Sequence, residues 1–180
     1  MSTVEQYKTI STLNIVVGMK QKKLTYEYIR GLIDGGGCFT FHTVPNKSKQ
    51  GEVRKVKIPA FVLTMHERNE DLMVAIKEYL DIDRDLYHHS PGEKDGYKRG
   101  RTIRLLIRDL GTLKNTIIPL FYNNLVGYKG KQFEDWLDKI GTDPDVPEQY
   151  KLLYRFHKGG YFEKNPKFMS DRVKRGNTPL

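Results

Sequence analysis

Apolar and polar positions alternate along the chain in two distinct periods. From Tyr26 the residues Ile29, Leu32 and Ile33 recur at helical spacing, and the stripe stops at Gly35-Gly36-Gly37. Thr25 is placed to cap that helix, and three successive glycines force the chain to turn at its end. Two runs of strand character follow, Cys38–Val44 and Val53–Met65, around a turn-rich loop, Pro45–Gly51, that holds Lys47 and Lys49. Leu72, Met73, Ile76 and Leu80 then mark a helix over about Asn69–Leu80. Leu86–Ser90 and Thr102–Asp109 read as a second strand pair joined by the basic loop Pro91–Arg101. A helix over Thr112–Asn123 is expected to kink at Pro119, and another spans Lys131–Ile140 with Phe133, Trp136, Leu137 and Ile140 on one face.

The order is helix, two strands, helix, two strands, helices. Strand pairs joined by short connections imply an antiparallel sheet with helices on one face, the α+β class. Three segments follow from the pattern: an N-terminal adaptor over residues 1–23, a main domain over 24–141, and a linker, short helix (Glu148–His157) and basic tail over 142–180. The tail from Lys158 on is expected to be ordered only by a partner.

Composition narrows the function. With 31 basic and 22 acidic residues the chain carries a formal charge of +9, suited to a polyanion whose counterions are released on binding. One cysteine, Cys38, rules out an internal disulfide and gives no Cys-based zinc site; it reads as a small strand residue in a reducing, intracellular setting. No run of about 18 apolar residues offers a membrane span, and no signal-peptide pattern stands at the N-terminus.

Alternation sorts the strands into two faces. Phe39 and Phe41 point one way, Thr40 and His42 the other; Ile103, Leu105 and Ile107 oppose Thr102, Arg104, Leu106 and Arg108. Arginines on an open sheet face suit base edges and phosphates. Arg104 and Arg108 are therefore candidate nucleic-acid contacts, with Thr40, His42, Lys47, Lys49, Arg54, His88, Arg101 and Lys131 as further candidates. If Phe61 and Leu63 face the core, then Val56, Ile58, Ala60 and Val62 fall on the open face, where only thymine methyls would be read. A bulge near Pro59 would shift that register.

The segment Ile29-Arg30-Gly31-Leu32-Ile33-Asp34-Gly35-Gly36-Gly37-Cys38-Phe39 resembles the signature of LAGLIDADG homing endonucleases. Further echoes lie at Phe61–Arg68, Leu106–Leu110 and Lys129–Trp136, so the resemblance covers roughly residues 25–140. It implies an αββαββα fold with a saddle-like sheet, site-specific phosphodiester hydrolysis of double-stranded DNA, and a divalent metal, Mg²⁺. One copy of the motif implies a homodimer paired through Ile29, Gly31 and Leu32, and so a pseudo-palindromic target.

In that family the motif's last acid precedes the final glycine and holds the metal. Here Gly36 takes its place, and Gly35 and Gly36 are the metal positions that the resemblance assigns. Asp34 is two residues earlier, roughly 200° away around a helix, and reads as a turn or capping residue. Met65 stands where a polar side chain organises water in the family, and a thioether is a weak acceptor. The basic pocket residue falls on Lys129, with Lys131 as alternate. The resemblance thus implies a DNA-binding homodimer with cleavage impaired or lost, the glycine being either natural or introduced. The alternative is an intron-RNA maturase, or a structural RNA-binding protein on the same scaffold.

Overall fold

The structure, a computed structural model, describes residues 14–17, 20–47, 53–90 and 100–165. A two-stranded antiparallel ribbon, β1 (Asn14–Val17) and β2 (Lys20–Lys23), leads into helix α1 (Tyr26–Gly36). The hydroxyl of Thr25 accepts from the Tyr28 amide at 3.2 Å, the expected cap. Strands β3 (Gly37–Lys47) and β4 (Val53–His66) form a long hairpin, followed by a 3₁₀ turn and α2 (Glu70–Tyr79). Strands β5 (Tyr87–His89) and β6 (Thr102–Ile107) complete an antiparallel sheet in the order β3-β4-β6-β5. The α+β class expected from the pattern is the architecture found.

After the sheet come α3 (Leu110–Thr112), a π-helical turn (Leu113–Ile117) and α4 (Ile118–Phe121). The expected kink at Pro119 appears as that π turn, where widened backbone spacing precedes a residue without an amide proton. Helix α5 (Tyr128–Thr142) is longer at both ends than expected, and α6 (Lys151–Lys158) and α7 (Tyr161–Lys164) close the described chain.

The β3–β4 register is continuous from Gly37↔Leu63 to Lys47↔Val53, so the bulge considered at Pro59 does not occur. Pro59 is tolerated because β6 pairs with β4 only from Phe61 onward. On that unpaired stretch the Lys57 amide donates to Asp145 O at 3.0 Å, and Pro59, two residues on, presents its proton-free nitrogen to the same side. Lys57 Nζ adds ion pairs to Asp143 at 2.7 Å and Asp145 at 3.1 Å.

One face of the sheet is buried under the helices. Phe61, Leu63, Ile103, Leu105 and Ile107 pack there with Ile29 and Ile33 of α1 and with Leu113, Ile117 and Phe121. Phe39 is a hub, with ring centroids 4.7 Å from Phe133, 5.4 Å from Phe61 and 5.5 Å from Trp136. Buried aromatic tips find backbone partners: Tyr26 Oη donates to Leu120 O, and Trp136 Nε1 to Thr40 O, each at 2.8 Å. Burial pushes the Tyr26 phenol up to about 12, so it stays a donor.

Residues 143–165 do not trail from this core. Val146, Tyr150, Leu153 and Phe162 belong to the same buried cluster, so the boundary expected at residue 141 does not separate two packing units. The expected loop at Pro45 is the end of β3, an edge strand where proline costs no ladder bond.

Trp136→Phe keeps most of the ring's area but removes the donor to Thr40 O. We expect a loss of about 1–2 kcal/mol, measured as a lower urea midpoint with an unchanged denaturant slope.

Candidate nucleic-acid interface and motif end

The open face of the sheet carries the residues left over by the core. Register places Cys38, Val62 and Leu106 side by side, then Thr40 with Ala60, His42 with Ile58, and Val44 with Val56. Thr64, Arg104 and Tyr87 form a second row, and His66, Thr102 and His89 a third. Arg104 and His42 are exposed, and Thr40 and Arg108 are half-buried. Two arginines thus share this face with an aliphatic strip. The strip is the one that alternation in β4 anticipated.

Other candidates lie elsewhere. His88 is the register partner of buried Ile103 and sits 3.4 Å from Glu70 of α2, so it faces the helices and not the open face. Arg101 is exposed just before β6 and pairs with Glu67 at 3.6 Å. Lys131 is an exposed residue of α5. Lys47 and Arg54 belong to the strand backbone of the hairpin, but their side chains lie outside the described residues, as does all of Lys49.

Around the motif, only one of the three glycines is sterically required. A Cβ on Gly37 would meet the Ile33 side chain at 2.5 Å and Ile33 O at 2.9 Å, whereas Gly35 and Gly36 have open space around them. The helix runs on through Gly36 before β3 begins, one residue into the triplet beyond Gly35. Gly36 is exposed at the helix end and contributes no oxygen from a side chain.

The neighbouring polar groups are committed. Both Asp34 oxygens accept from the Val126 amide, at 3.0 and 3.3 Å, which fixes the loop before α5. The contact ties α1 to that loop across 92 residues of sequence and is not a helix cap, since α5 begins after Gly127 without a side-chain cap. Lys129 Nζ donates to Gly37 O at 2.7 Å, placing an ammonium at the end of the motif helix. The alternation in β4 puts Met65 with Phe61 and Leu63 on the core side, half-buried and opposite Ile103. The exposed neighbour of the helix end on the open face is Thr64, which follows the partner of Gly37. Alternation from Phe61 by itself puts Thr64, and not Met65, on the open face.

A hard divalent cation needs several oxygen ligands, carboxylates first. At this helix end the residues do not fit one. Position 36 has no side chain, Asp34 faces Val126, and a lysine holds the Gly37 carbonyl. Among the described residues no group of three His, Cys, Asp or Glu side chains converges as metal ligands.

The α1 face turned away from the core comprises Glu27, Tyr28, Gly31 and Gly35, with Leu32 half-buried beside it. Ile29 is different: it is 0% exposed inside its own chain's core and is not available to a partner helix.

The model of the LAGLIDADG endonuclease family matches residues 29–140, and the chain belongs to that family. Endonucleases of this family are generally divalent-metal dependent. Among solved structures the chain is similar to the homing endonuclease I-TnaI, with 18% identity, a TM-score of 0.50, and 87% of this chain and 90% of that one covered. It is also similar to the I-LtrWI LAGLIDADG homing endonuclease bound to target DNA, at 21% identity and TM-score 0.50, covering 91% and 48%. Meganuclease I-SmaMI bound to uncleaveable DNA gives 18% identity and TM-score 0.51, covering 89% and 46%. The chain therefore spans less than half the length of these last two. At such identities the likeness establishes the fold. No curated protein sequence matches the chain. Among the described residues, no helix is long and apolar enough to cross a membrane.

Proposed function

We propose that this chain binds double-stranded DNA as a homodimer, and that metal-dependent phosphodiester cleavage is lost or strongly reduced. The observation that carries this reading is the end of α1. Family membership supplies the scaffold, while Gly36 leaves no carboxylate where the chemistry needs one. Metal ions in phosphodiester hydrolysis activate water and stabilise the leaving oxygen. Without a ligand at position 36 that assistance has no anchor, and Lys129 cannot replace it. An ammonium can hold a phosphate oxygen by charge and hydrogen bonds, but it cannot generate hydroxide from bound water.

Binding does not depend on the missing acid. Arg104 and Arg108, with Thr40, His42 and Thr64 beside them, can reach phosphates and base edges from the open face. Two copies of α1 meeting along Tyr28, Gly31 and Gly35 would set two such sheets side by side. The glycines allow close backbone approach, and two-fold symmetry then calls for a target with matching half-sites.

A second reading, an intron-RNA maturase or structural RNA-binding protein, is favoured by one observation. Val44, Val56, Ile58, Val62 and Leu106 make part of the open face aliphatic, which suits unpaired nucleotides better than a paired major groove.

With Mg²⁺ or Mn²⁺ and a duplex selected from a random pool, no efficient double-strand cleavage is expected. Gly36→Asp, which has open space for its side chain, should raise the cleavage rate by about tenfold or more. Robust cutting by the unmodified chain would overturn the loss of catalysis. For pairing, Gly31→Phe should shift the sedimentation coefficient from dimer to monomer while leaving the circular dichroism unchanged, since a Cβ there meets nothing within 4 Å in its own chain. Affinities for duplex DNA and folded RNA, measured across a salt series, separate the two readings. Tighter binding to the DNA duplex at every salt concentration is expected, and a clear preference for folded RNA would select the second.

A further inference from the structure

A depression of about 340 Å³ opens on the sheet's outer face. It exists because the strands are of unequal length. β6 ends at Ile107, while β4 continues to Val53 without a β6 partner below Phe61. The chain after β6 diverges there, and the segment around Asp145 and Tyr150 fills in from the other side. Tyr150 Oη donates to Arg108 O at 2.8 Å and so fixes the backbone that carries the arginine.

The floor is aliphatic: Val44, Ile58 and Leu106. The rim holds Tyr87, 52% exposed, and the side chain of Arg108. Arg84 also borders it, but its guanidinium is 3.1 Å from Asp109, so that pair is largely self-compensated. Among the described residues neither Arg108 nor Arg104, which is opposite Tyr87 in the next row, has an ion-pair partner, so positive charge stands at the entrance.

A paired base keeps its faces in the stack and shows only edges, for which an aliphatic floor offers almost nothing. A base that has left the stack needs something else. It requires an apolar surface for its ring, an aromatic or guanidinium plane to stack on, and a cation for the adjoining phosphate. The depression supplies all three within one concavity, on the face already assigned to the polynucleotide.

We propose that this depression receives one unstacked nucleobase of the bound nucleic acid, stacked against Tyr87 with its phosphate at Arg108. The inference rests on the reading that this face binds nucleic acid. It adds a preference for a bulge, mismatch or single-stranded junction over an uninterrupted duplex.

The test uses the full chain and two duplexes of one sequence, one fully paired and one with a single bulged 2-aminopurine. Affinity and 2-aminopurine fluorescence are measured together. The bulged duplex should bind roughly five- to a hundred-fold tighter, with a fluorescence change that reports the base entering the protein. Tyr87→Ala and the pocket-filling Ile58→Trp should abolish the preference, and Tyr87→Phe should retain it; circular dichroism confirms that each variant is folded. Equal binding of both duplexes by the unmodified chain overturns the proposal and leaves nucleic-acid binding standing. A preference that survives Ile58→Trp and Tyr87→Ala also overturns it, since it would then belong to the flexibility of the bulge. If neither duplex binds, the underlying reading fails as well.

Discussion

The turn from α1 into β3 sets the geometry on which the rest depends. At Gly37 the helix ends, its amide donates to Ile33 O, and the next residue is already paired in the sheet. There is no room for a Cβ, because the Ile33 side chain and carbonyl stand against that atom's position. This contact fixes where β3 starts against α1, with Gly37 opposite Leu63 of β4 and Phe39, two residues on, at the aromatic hub. A helix packed directly under the first residue of an edge strand has no slack to absorb a side chain there.

The same junction explains why the motif keeps its shape without its acid. Gly35 and Gly36 are sterically optional, so a side chain at either would meet nothing in its own chain. What remains at the helix end is a set of internal bonds. Asp34 holds Val126 and Lys129 holds Gly37 O, and both contacts tie α1 to the start of α5. Both side chains are part of the packing between two helices and the sheet.

The open face shows a comparable division. Its polar row, with Thr64 and Arg104, lies where three strands pair; much of its aliphatic strip lies where β4 keeps β3 as a partner but runs on beyond β6. The first is a polar surface built across adjacent paired strands. The second is concave, because a missing neighbouring strand leaves a hollow that the segment after α5 only partly fills. One sheet thereby presents two kinds of surface, set by strand length as much as by side-chain identity.

The sequence by itself did not determine the β1–β2 ribbon or α7, but it determined the four strands of the main sheet and the helices around it, the alternation of the strands, the Thr25 cap, the family motif and the absence of a carboxylate at position 36. These depend on period and on neighbours within a few residues, which the chain order states directly. It did not determine that Ile29 belongs to the core, that His88 faces α2, that Met65 lies under the sheet or that residues 143–165 share the core. Each of these depends on what packs opposite, and a helical stripe or a strand alternation names a face without naming its partner. Lys129 reaching Gly37 O, Asp34 meeting Val126 and the hollow beside Arg108 join positions tens of residues apart. Only the folded chain brings such groups within hydrogen-bond range, and so the tertiary structure decided them.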